Sequence, residues 1–96
     1  MNYLPKQDQE LLHWLKNFSD QLPQIGISLG VTPAEIASLN ALIFNIKTDI
    51  RQGRLIEDDY QLKKQKMLNF LQGLIVKMTN HHTYSKMEHG KKLGIE

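Results

Sequence analysis

The side chains best suited to hold a metal or move a proton near neutral pH gather at one place, where His81, His82 and His89 stand close to Glu88. A zinc site needs about four ligands converging in fixed geometry. Adjacent histidines project apart, no HExxH spacing occurs, and the sequence contains no cysteine to complete a set. The patch therefore reads as a solvated helix end, His13 as a surface residue, and neither metal nor cofactor is expected. Asp58 and Asp59 read as the acidic first turn of a helix, because a catalytic pair would have to converge from a pocket. Ser19, Ser28, Ser38 and Ser85 sit in no nucleophile motif, and Gly26-x-x-x-Gly30 lacks the Lys-Ser/Thr that follows a phosphate loop. No catalytic residue emerges, and the expectation is a protein that is not an enzyme.

Charge is the next signal. The net charge is +2, yet residues 1–60 carry a balance of −3 and residues 61–96 a balance of +5. Lys63, Lys66 and Lys77 share one helical flank, and Lys86, Lys91 and Lys92 crowd the C-terminal tail, so these six form a candidate basic patch for phosphate contacts. No helix-turn-helix signature accompanies them, and Tyr84 is the only aromatic residue near the tail lysines. Two solvated halves of one domain, attracting each other, explain the asymmetry as well.

The elements that must position these residues are helices. Leu11, Leu15, Phe18 and Leu22 recur at four- and three-residue steps with Trp14 beside them, predicting a helix over about 7–22. Asp8 and Glu10 suit its first turn and Pro23 should end or kink it. Residues 25–29 are expected to form a short helical turn or a packed loop. Gly30 suits a helix end, while Thr32, Pro33 and Glu35 spell a capping box for a second helix over 33–52, with Val31 placed to staple onto Ile36. That helix aligns Ile36, Leu39, Ile43, Ile46 and Ile50, with Asn40, Lys47, Arg51 and Phe44 on the opposite flank.

A third helix, over 57–80, carries the seam Tyr60, Met67, Leu71, Leu74 and Met78. Lys64 falls within this stripe and is expected to bury its stem while its ammonium reaches water. Gly73, which costs a helix about 1 kcal/mol relative to alanine, suggests close backbone approach. Residues 84–90 read as a short helix, with Leu93 and Ile95 docking on the bundle's end. Short connections favour antiparallel neighbours, so the fold class is all-α: one domain over 1–96, a three-helix up-down-up bundle with a short C-terminal helix and tail. No apolar run approaches the roughly 20 residues that span a bilayer, and the first residues lack a secretory signal, so no membrane role and a cytoplasmic location are expected.

Leu4-Pro5-Lys6, Asp8, Leu11, Trp14, Asn17-Phe18, Leu29-Gly30-Val31-Thr32 and Tyr84…Gly90…Leu93-Gly94-Ile95 together resemble a helical module of uncharacterised bacterial proteins. In some of these the module precedes an immunoglobulin- or fibronectin-like β domain. The resemblance spans Leu4 to Ile95, although the later helices here are rich in Ile, Leu and Lys rather than alanine. It implies a helical fold and brings no activity or functional residue with it. The shared positions read as structural: Trp14 and Phe18 as core anchors, and Asn17 as a polar residue suited to bond the tail or a loop backbone.

The remaining class is protein interaction. Phe44, Leu62, Phe70 and Val76 lie off the core stripes and form a candidate partner surface, for an unidentified protein or for a second copy in a homodimer. The expected function is a small structural or interaction module, with weak nucleic-acid binding through the basic C-terminal third as the alternative.

Overall fold

The computed structural model describes residues 3–96. Met1 and Asn2, part of the stretch read as lacking a signal, lie outside the described residues. Helix α1 runs from Asp8 to Gln21, α2 from Pro33 to Arg51 and α3 from Asp58 to Thr79, and the described residues contain no strand. The all-α bundle is thus the observed architecture, with α2 packed between α1 and α3.

Side-chain pairs fix the helix directions. The start of α1 meets the start of α3, where Tyr60 Oη donates to Asp8 Oδ1 at 2.6 Å and Lys64 Nζ reaches the same oxygen at 2.9 Å. The start of α2 meets the end of α3, where Lys77 Nζ lies 2.7 Å from Glu35 Oε1. Hence α1 and α3 run parallel and α2 antiparallel to both. Lys64 corrects its sequence-based expectation: its half-buried ammonium is spent on Asp8 rather than on water.

Local chemistry explains each boundary. Thr32 and Glu35 form the expected capping box, with Glu35 N–H donating to Thr32 Oγ1 at 3.1 Å and Thr32 N–H to Glu35 Oε1 at 2.9 Å. Pro23, lacking an N–H, does not stop the chain; α1 gives way at Leu22 to a wider π-helical turn that continues to Gly26. Residues 27–28 stay helical, and Gly30, at φ +94°, then closes this segment. Val31 N–H donates to Gly26 O and Gly30 N–H to Ile27 O, the paired bonds of a Schellman cap. The same pairing recurs at Gly53 and at Gly94, the other two glycines with positive φ.

The core seams are buried as their spacing implies: Leu11, Leu15 and Phe18 on α1 with Leu22 just after it, Ile36, Leu39, Ile46 and Ile50 on α2, and Tyr60, Met67, Leu71, Leu74 and Met78 on α3. Ile43 departs from its stripe and is only half-buried. Gly73 departs too, since a Cβ placed there would meet nothing within 4 Å. Its expected close approach does not occur.

The tail differs most from its expected form. A π-helical turn over Lys86–Gly90 leads without a stop into a three-residue helix, α4, over Lys91–Leu93. Gly90 lies within this helical path rather than ending it. The tail docks along one flank of α1 instead of over an end of the bundle. Trp14 Nε1 donates to Gly94 O at 3.1 Å and Asn17 Nδ2 to Lys92 O at 3.0 Å. Both acceptors are carbonyls that the end of α4 leaves without helical partners, which accounts for the polar Asn17 on this flank.

Candidate functional site

The other flank of α1 is open. At 100° per residue, Leu12 and Lys16 fall opposite Trp14; with His13 and Asp20, on the outer side of the helix, they face Ile43, Lys47 and Arg51 of α2 across a groove of about 380 Å³. Leu12 and Ile43 are half-buried and pack against the core, so the floor is apolar. Its walls are basic. Lys16 pairs with Asp20 at 3.3 Å, an exposed i,i+4 bridge of little energetic weight. Lys47 and Arg51 have no ion-pair partner among the described residues. Phe44 follows Ile43 on this side of α2 and is 68% exposed.

The four candidate partner residues do not form one surface. Phe44 lies outside the groove lining, on the same flank of α2 as Lys47 and Arg51, whereas Leu62, 72% exposed, and Val76 lie on the outer face of α3. These two share a helical face but stand about 21 Å apart along it, with Asn69 and Gly73 between them. Phe70 is half-buried against the core and is no spare residue. A side chain off the main seam can still pack inward when its helix has two neighbours.

The candidate basic patch is divided as well. Lys63 Nζ sits 3.2 Å from Asp49 Oδ2 and 3.0 Å from Asp59 Oδ2, and the two carboxylates, Asp59 foremost, hold its ammonium above the usual lysine pKa. Asp49, 4% exposed, is the buried charged residue that this lysine and Arg54 serve. Lys77 is engaged with Glu35, which it holds below the usual glutamate pKa with help from the Thr32 N–H. Lys66, Lys86, Lys91 and Lys92 remain exposed without ion-pair partners among the described residues.

The histidines serve the backbone around them. His81 Nδ1 accepts from Thr83 N–H at 3.2 Å, and His89 Nδ1 from Ser85 N–H at 2.9 Å. His81 and His82 stack with ring centroids 4.5 Å apart. Among the described residues, no three His, Asp or Glu side chains come together in a group that could hold a metal. Tyr60, wholly buried, has its phenol pKa raised by burial and then by Asp8. The Asp8 carboxyl is pushed up by burial, but the bonds from Tyr60 and Lys64 outweigh this and keep it below its usual value. These groups are mutually satisfied and pin α1 to α3.

Fold and surface together define a small three-helix module with one flank of α1 closed by its own tail and a groove between α1 and α2 left open. Comparison with protein-family models, with curated proteins and with solved structures yields no match. The sequence places Asn40, Lys47, Arg51 and Phe44 on one flank of α2 and His13, Lys16, Asn17 and Asp20 on the outer side of α1, without joining the two. The signal available was that both flanks combine cations with an adjacent apolar residue. What joins them is the packing of α1 on α2, which no single-helix pattern encodes.

Proposed function

We propose that the protein is a non-catalytic, cytoplasmic interaction module that seats an acidic, amphipathic segment of a polypeptide in the α1/α2 groove. One observation carries this reading: an apolar floor of Leu12 and Ile43, beside an exposed Phe44, lies under two cations, Lys47 and Arg51, that have no partner among the described residues. An apolar stripe on a partner would cover the floor, and flanking carboxylates would meet the cations. Helix-in-groove binding of this kind needs no rearrangement of the bundle.

The test is an NMR titration of the protein with a designed amphipathic helical peptide of about five turns carrying Leu and Glu, beside a control with Lys in place of Glu. The acidic peptide should shift the amides of Ile43, Phe44, Lys47 and Arg51, and Lys47→Glu should abolish the effect. No shift, or equal shifts with both peptides, would refute the reading. A nucleic-acid partner is the second reading, favoured by the exposed Lys86, Lys91 and Lys92 on the tail. It requires salt-dependent binding to duplex DNA that is lost when Lys91 and Lys92 are both changed to Glu.

A further inference from the structure

Another exposed surface of the same chain has the complementary chemistry. The turn after α2 and the first two turns of α3 present Ile56, 93% exposed, and Leu62, 72% exposed, with the carboxylates of Glu57 and Asp58 between them. Asp58 and Leu62, four residues apart, share a face of α3. Asp59 is occupied by Lys63, but Glu57 and Asp58 have no ion-pair partner among the described residues. The groove thus offers two unpaired cations beside apolar side chains, and this knob offers two unpaired anions beside apolar side chains.

We infer that the occupant of the groove is a second copy of this chain, with Ile56 and Leu62 of each protomer covering Leu12, Ile43 and Phe44 of the other while Glu57 and Asp58 face Lys47 and Arg51. The inference rests on the groove-docking reading above and names its partner. Arg51 ends α2 and Asp58 begins α3, so groove and knob open at the same end of the bundle. A two-fold axis near that end makes both contacts at once, and the pairing closes on itself as a dimer rather than propagating as a fibre. Neither Ile56 nor Arg51 belongs to the buried core, so substitutions there report on association rather than on folding.

Sedimentation equilibrium of the full chain decides the matter, from about 10 μM to about 1 mM protein, at low salt and again at high salt. A monomer–dimer equilibrium is expected that weakens at least about tenfold as the charges are screened. Ile56→Asp and Arg51→Glu should each weaken it by at least about tenfold, with circular dichroism confirming unchanged helix content. Combining Arg51→Glu with Asp58→Arg should restore the dimer, because the signs are then exchanged across each contact. A monomer at every concentration, or a dimer indifferent to these substitutions, overturns the inference. If the chain stays monomeric while the acidic peptide still shifts Lys47 and Arg51, the second copy is excluded and the groove-docking reading stands; if the peptide also fails, both fall.

Discussion

Helix α1 has one finished flank and one unfinished flank. On the finished side Trp14 stacks between Tyr3 and Phe18, at centroid distances of 5.9 Å and 5.1 Å, and its N–H and that of Asn17 end on carbonyls of the tail. Gly94 lets the tail come this close, since a Cβ there would stand 3.0 Å from Trp14 Nε1, and Gly90 lets the tail fold on itself, since a Cβ there would strike Glu96 and stand 2.5 Å from Tyr84 Oη. On the other side Leu12 and Lys16 face Ile43 and Lys47 across the open groove, with no tail docked over them among the described residues. Solvent exposure alone does not separate the two flanks, since Trp14 and Leu12 are both half-buried. What separates them is whether each donor has an acceptor.

The strongest challenge to this contrast is to truncate one residue on each side. Trp14→Ala removes a stacked ring and a hydrogen bond from the clasp and should lower stability by about 3 kcal/mol. Phe44→Ala or Lys47→Ala on the open side should stay within about 0.5 kcal/mol. Urea unfolding followed by far-ultraviolet circular dichroism measures both. Equal losses on the two sides would mean that the open groove is part of the monomer's own core, and the contrast would fail.

Two glycines sharpen it. Gly94, at φ +83° and against Trp14, should tolerate alanine badly, with a loss of about 2 kcal/mol for Gly94→Ala. Gly73 lies mid-helix on the exposed side of α3 with nothing within 4 Å, so Gly73→Ala should gain roughly 1 kcal/mol. Thermal melts of the two variants should therefore move in opposite directions. A destabilised Gly73→Ala protein would reveal a contact that the free chain does not make. Between these lies Asn17→Ala, which should cost about 1 kcal/mol, because its bond to Lys92 O is replaceable by water at an exposed site.

Periodicity and capping chemistry made the three long helices legible almost to the residue. Apolar side chains three and four apart announce a face, and Thr32-Pro33-x-Glu35 announces a start. The tail was harder, since seven residues without a long periodic stripe leave Gly90 to be read as a stop. Gly90 is instead a spacer that admits Tyr84 and Glu96, residues six positions away on either side that local spacing does not bring to it. Asn17 shows how far the sequence reached: its polarity suited a bond to the tail or to a loop backbone, and the fold selects the tail, at Lys92 O. Lys63 and Lys77 show where it stopped. A lysine on a helical flank has the same appearance whether a carboxylate from another helix waits opposite or not. Here Asp49 and Glu35 do, and two of the six candidate basic residues are consumed. Phe70 fails similarly, because its half-burial depends on a neighbour that helical spacing does not name.

Acid should separate the inter-helical pins from the clasp with the smallest energetic effect. Asp8 and Glu35 both titrate below their usual values of 3.8 and 4.5 in the folded protein, because each accepts bonds as a carboxylate from a lysine and a further donor. A depressed carboxylate contributes its stability above the unfolded value, and that contribution is lost as pH falls through the folded value. The urea midpoint should accordingly hold above about pH 5 and decline below it, with a shallower decline in Asp8→Asn and Glu35→Gln. The Thr32 amide, bonded to Glu35, should shift in NMR spectra below pH 4.5. The Trp14 indole N–H, bonded to a backbone carbonyl with no proton to gain, should move far less over the same range. If the indole signal titrates in step with Thr32, the clasp and the pins respond as one unit, and the closed flank of α1 owes its closure to charge after all.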